Sequence, residues 1–125
     1  MLAATLVHCS AETPRGACGE SFCLPRGAQL VAKRTPVEDF NLYQVEWNGG
    51  SFLIYEGNAP DEGDGAATIL SLPLDPQATL RRDSGHGSVL LRIDRQWPNY
   101  LQIAGPCLPG DRCAAATLAS LITRR

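Results

Sequence analysis

The sequence predicts an α+β fold: a strand-dominated antiparallel meander of about six or seven short strands, with one C-terminal helix packed on the sheet. Three observations carry that expectation. Short apolar runs recur between clusters of Gly, Pro, Asn and Asp, as strands between turns do. Two hairpin signals, Asn48-Gly49-Gly50 and Ser84-Gly85-His86-Gly87, sit between such runs. Apolar residues at helical spacing come after Asp111, at the end of the chain.

In chain order, Gln29 to Arg34 reads as the first strand, stopped by Thr35-Pro36. Val37 to Phe40 suits one helical turn with proline at its start. Asn41 to Trp47 alternates, placing Tyr43, Val45 and Trp47 on one face and Leu42, Gln44 and Glu46 on the other. Ser51 to Tyr55 returns as its partner after a turn whose residues tolerate positive φ. A Gly-, Asp- and Pro-rich loop spans Gly57 to Gly65, and Thr68 to Leu72 is a further strand ended by Pro73 and Pro76. Thr79 to Asp83 and Ser88 to Asp94 flank the second turn, and Tyr100 to Ala104 is the last strand. Asp111 is a suitable N-cap for a helix from about Arg112 to Thr123, because its carboxylate can accept bonds from the first amides. Ala114, Leu118, Leu121 and Ile122 would form its buried stripe, with Arg124 and Arg125 at the negative end of the dipole. All these connections are read as local.

At 125 residues the chain is one domain by length. Residues 1–24 read as an N-terminal extension with a Cys-containing loop, and residues 25–125 as the globular α+β domain. A hydrophobic share of 44% is ordinary for such a domain. No apolar run approaches the roughly 20 residues of a membrane-spanning helix. The apolar start, Met1 to Val7, lacks the basic region of a complete signal peptide, so an export signal is expected to have been removed upstream.

All the cysteines lie near the two ends: Cys9, Cys18 and Cys23, then Cys107 and Cys113. Five in a chain this short point to an oxidising compartment, periplasmic or secreted. The odd number leaves one unpaired, with Cys9 the candidate. His8 in front of Cys9 departs from the small residue of a lipid-attachment site. A bridge between the terminal clusters would stabilise by roughly 4–5 kcal/mol, against about 2 kcal/mol for each short one. The Gly- and Pro-rich surroundings nevertheless favour the short pairs, Cys18 with Cys23 and Cys107 with Cys113. Zinc is the alternative use of these thiols, but Cys107-x5-Cys113 is wider than the usual ligand spacing. No cofactor is expected.

Charge is strongly segregated along the chain. From Thr35 to Leu80 there is no Lys or Arg, whereas Glu38, Asp39, Glu46, Glu56, Asp61, Glu62, Asp64 and Asp75 all fall there. That pattern argues against a nucleic-acid surface and suits a cationic partner. Calcium is a weaker reading of the Asn58 to Gly65 loop, which lacks EF-hand spacing. Asp83, Ser84 and His86 hold the residue types of a hydrolase, but on what reads as a hairpin tip and without a Gly-x-Ser-x-Gly elbow. Trp97 and Tyr100, in and after the connection between two strands, have the large rigid area of interface anchors. The expectation is therefore a small exported protein-binding module of inhibitor or immunity type. Asp61, Glu62, Asp64, Trp97 and Tyr100 would contact a protein partner with a basic surface. The alternatives are an envelope accessory subunit recognised through sheet edges and a small hydrolase using His86.

Overall fold

Asn48 and Gly49 take positive φ of 49° and 78°, which closes a two-residue hairpin between the two longest strands. Ser84 and Gly85, at 43° and 81°, do the same for a second hairpin. The computed structural model describes residues 15–34, 39–61, 63, 66–108 and 113–125. Its strands are β1 (Arg15–Cys18), β2 (Phe22–Pro25), β3 (Gln29–Arg34), β4 (Phe40–Trp47), β5 (Gly50–Gly57), β6 (Ala67–Leu70), β7 (Ala78–Asp83), β8 (His86–Arg92), β9 (Tyr100–Pro106) and β10 (Thr123–Arg124). The helix α1 (Ala114–Leu121) lies between β9 and β10. The strand-dominated antiparallel fold and the C-terminal helix are as the sequence predicts.

Seven strands form one sheet in the order β3-β4-β5-β9-β8-β7-β6, and β1-β2-β10 form a second sheet of three. All the pairings are antiparallel. The large sheet consists of two meanders, β3-β4-β5 and β6-β7-β8-β9, joined where β9 pairs with β5. The connections are therefore not all local. To start the second meander at the far edge, the chain leaving β5 must pass β9, β8 and β7 before it becomes β6.

One face of the large sheet is covered. Tyr43 and Val45 of β4, Phe52 and Ile54 of β5, Leu101 and Ile103 of β9, and Val89 and Leu91 of β8 are all buried there. Against them pack Phe22 and Leu24 from β2, Ala115, Leu118 and Ala119 from α1, and Ile122 just beyond it. Each large apolar side chain buried this way contributes about 1.5–3 kcal/mol. The Phe22 and Tyr43 rings meet in a T-shaped arrangement, with centroids 5.2 Å apart and planes at 89°.

The first expected strand is thus the third. Cys18 and Cys23 do not merely bracket a loop: they face each other in the β1-β2 hairpin and are bonded. Cys107 and Cys113 form the other short bridge across an isolated antiparallel contact. That bridge is buried against β8 at Gly87, where an added Cβ would lie 3.1 Å from Cys113 Sγ and closer still to Cys107 Sγ. Cys9 and Asp111 lie outside the described residues, as do Val37 and Glu38 of the expected helical turn, whose last residue, Phe40, instead begins β4. The helix is shorter than expected, and its N-cap position is Cys113, which makes no side-chain capping bond. Leu121 is exposed, and the buried residues within the helix are Ala115, Leu118 and Ala119. Arg124 and Arg125 do not serve the helix end. The chain leaves the helix to pair with β2, Arg124 donates to the Asp94 carbonyl and Arg125 to the Gly19 carbonyl.

A charged group sits inside the core. Glu56 of β5 is fully buried, and its carboxylate accepts bonds from the Ser21 N–H (2.7 Å), the Ser21 hydroxyl, Asn41 Nδ2 (2.9 Å) and the Tyr43 hydroxyl. Tyr43 Oη accepts in turn from the Glu20 N–H at 3.2 Å. Burial pushes the Tyr43 hydroxyl well above the usual phenol range, and the adjacent Glu56 raises it further. Among the described residues no buried side-chain oxygen or nitrogen lacks a partner, as a buried charge requires. The network fastens the β1-β2 turn, held by the Cys18–Cys23 bridge, to β4 and β5.

Candidate binding face

The second face of the large sheet is built by the same alternation that builds the core. Because side chains directly opposite one another share a face, the strand register orders this surface into rows. One row runs Arg34, Leu42, Tyr55, Gln102, Leu90, Thr79 and Ile69 from edge to edge. The next runs Ala32, Gln44, Leu53, Ala104, Ser88, Arg81 and Ala67. Two rows therefore cross seven strands with a mixture of aliphatic and polar groups. No helix lies on them among the described residues.

The connection from β5 to β6 covers part of this face. Gln102 clasps it: Gln102 Nε2 donates to the Asp61 carbonyl, and the Asp61 N–H donates to Gln102 Oε1 at 3.1 Å. The same Nε2 reaches Ser88 Oγ at 3.0 Å. Asp61 Oδ1 accepts from the Gly63 N–H, and Asn58 Oδ1 from the Asn99 N–H. These bonds tie Asp61 to β9 and Asn58 to the β8-β9 connection.

Beside the loop, the face is bare around Leu53. This side chain stands near the middle of the sheet yet is 49% exposed. It lines three adjoining hollows, of which one, about 510 Å3, reaches from Leu42 and Tyr55 past Asp61 to Arg81 and His86. A leucine on the floor, flanked by Leu42, Tyr55 and Ala104, offers apolar contact. Asp61 at one rim and Arg81, Arg82, Asp83 and His86 at the other offer charge of both signs.

The acidic stretch of the sequence is not one acidic face. Glu56 is spent in the core network, and Asp75 accepts from the Gln77 and Arg92 amides. Asp61 lines the hollow, whereas Glu62 and Asp64 lie outside the described residues. Antiparallel pairing brings Arg81 to the same face as Asp61, which sequence distance concealed. Tyr100 is half-buried at the start of β9, in register on the open face with Gln102. Trp97 is elsewhere: half-buried in the β8-β9 connection, before a cis Pro98, with its Nε1 donating to the Asp39 carbonyl at 3.3 Å. The five residues expected at one interface thus separate into Asp61 and Tyr100 on the open face, Trp97 at its end, and two undescribed.

Leu53 and Gln102 are the members that sequence reasoning missed. A leucine between Ser51 and Tyr55, out of phase with Phe52 and Ile54, was the available signal. Ser84 and His86 both have exposed side chains at the second turn, and no hydrogen bond joins them among the described residues. No group of three or more His, Cys, Asp or Glu among the described residues is arranged to hold a metal ion. No described helix is long and apolar enough to cross a membrane.

Comparison with known proteins found no matching family model, no matching curated protein and no matching solved structure.

Proposed function

We propose that this protein is a binding module without chemistry of its own, working in an oxidising compartment, that seats a segment of a protein partner on the open face of the large sheet. The observation that carries this reading is Leu53, half-exposed in the interior of a seven-stranded sheet and shared by three hollows. Exposed apolar area in a concave, polar-rimmed setting is the usual mark of an interaction site. An apolar side chain of the partner meets Leu53, Leu42 and Tyr55, and basic groups meet Asp61 and the neighbouring acids Glu62 and Asp64 of the same loop. The two disulfides support an exported setting of the inhibitor or immunity kind.

The test is affinity capture from an extract of the native source, comparing three baits. The wild-type chain retains a partner and retains it better at low salt, Leu53→Asp loses it, and Asp61→Asn combined with Glu62→Gln and Asp64→Asn retains it weakly and equally at low and high salt. Identical capture by all three baits, at low and high salt alike, would refute the proposal.

A further inference from the structure

The two disulfides differ in their surroundings and in what they hold. Cys107 and Cys113 are both buried, with their sulfur atoms close against β8 at Gly87. Cys23 is fully buried on β2, but its partner Cys18 is half-exposed. Thiol–disulfide exchange proceeds by attack of a thiolate on one sulfur, so access to that sulfur governs the rate. Of the bridged cysteines, Cys18 is the one that is not buried. The turn between Cys18 and Cys23 also carries more than its own bridge. Ser21 donates twice to the buried Glu56, and the Glu20 N–H donates to Tyr43 Oη. The same segment receives β10, where Thr123 and Arg124 pair with Cys23 and Phe22. The Arg125 N–H donates to the Ser21 carbonyl at 3.0 Å, and its guanidinium donates to the Gly19 carbonyl at 2.7 Å.

We propose that Cys18–Cys23 is a redox latch: a dithiol reductant opens it ahead of Cys107–Cys113, and its opening frees β10 from β2 while the large sheet stays folded. A thiolate of the reductant attacks Cys18 Sγ, the S–S bond breaks, and Cys23 leaves as a thiolate that takes up a proton. The reductant's second thiol, losing its proton, then displaces Cys18 from the mixed disulfide. The products are two protein thiols and the cyclic disulfide of the reductant. Burial opposes a charged thiolate, so Cys23 departs as the turn opens, and reduction and loosening go together. Loosening withdraws the Ser21 donors from Glu56 and two carbonyl acceptors from Arg125. Asn41 and Tyr43 of β4 continue to supply the carboxylate, and the pairings of the large sheet do not pass through the turn. The latch is independent of the reading above, because neither Cys18 nor Cys23 lines a hollow around Leu53.

The full chain with Cys9→Ser, which removes the fifth cysteine, is treated with dithiothreitol under native conditions and followed by alkylation, peptide mass mapping and amide exchange. Cys18 and Cys23 are expected to be alkylated at least about tenfold faster than Cys107 and Cys113. Amide exchange at residues 19–24 and 122–125 then rises by at least about tenfold, while β8 and β9 keep their protection and oxidised glutathione restores the original pattern. A second variant, Cys18→Ser with Cys23→Ser, shows the raised exchange at residues 122–125 without reductant and does not respond to it. Four results overturn the proposal: a Cys18–Cys23 bridge that resists the reductant, equal or faster reduction of Cys107–Cys113, reduction with no gain at residues 122–125, or loss of protection in β8 and β9 together with that gain.

Discussion

The two faces of the seven-stranded sheet are made by neighbouring residues of the same strands, yet they hold different kinds of structure. Along β5, Phe52, Ile54 and Glu56 enter the core, while Ser51, Leu53 and Tyr55 face out. The covered face has helix and strand packed on it, and even the Glu56 carboxylate there is fully supplied with donors. Among the described residues, the open face has a loop across part of it and no helix on it. The comparison teaches that residue type does not assign role here: a glutamate is structural and a leucine is the candidate contact. What decides is parity along the strand and what the chain lays over each side.

The largest effect should come from Glu56→Ala. It leaves several buried donors without an acceptor, and chemical denaturation should show a loss of roughly 3 kcal/mol or more. A loss below about 1 kcal/mol would mean that water replaces the carboxylate and the network is not structural. Next comes a matched pair on one strand. Ile54→Ala should cost about 2–5 kcal/mol, while Leu53→Ala one residue away should stay within about 0.5 kcal/mol. Equal costs would erase the distinction between the faces.

Opening the Cys18–Cys23 bridge by Cys18→Ser with Cys23→Ser should lower stability by about 2 kcal/mol in the chain-entropy model. Because the same turn supplies the Ser21 donors to Glu56, amide exchange should rise at residues 19–21 before it does in β8 or β9. A smaller effect appears only in alkali. The folded state raises the Tyr43 hydroxyl above its unfolded value near 10, so its contribution is intact below that pH and falls as pH climbs above it. Thermal melts from pH 8 to pH 11 should show the decline in wild type and less of it in Tyr43→Phe. The smallest effect belongs to the loop: neutralising Asp61, Glu62 and Asp64 should leave unfolding within about 0.5 kcal/mol while changing the salt dependence of binding.

Much of the fold was legible because its signals are local. Asn48-Gly49 and Ser84-Gly85 admit positive φ, so both hairpins could be placed from the residues alone. Alternation along Tyr43, Val45 and Trp47 gave the buried side of β4, and the Gly- and Pro-rich surroundings of each cysteine pair favoured the bridges that form. The two-residue strand β10 has no periodicity to read, and β1 and β2 offer four residues each. Their existence rests on pairing with one another across the chain's ends. The helix boundary was misplaced for the same reason. Arg124 looked like a dipole partner, but β2 offered the backbone a strand to join.

The candidate face was less legible, because it depends on contacts between distant segments. The sequence by itself determined the strand class, the two hairpins, the terminal helix, the oxidised ends and an acidic stretch without a base. Each follows from residue chemistry acting over a few neighbours. Tertiary structure alone decided that Glu56 lies in the core, that Arg81 shares a surface with Asp61, and that the loop clasped by Gln102 leaves Leu53 open. Strand order is the physical reason. Which strand ends beside which is set by the balance of buried area across the whole sheet, and no local window of sequence contains that balance.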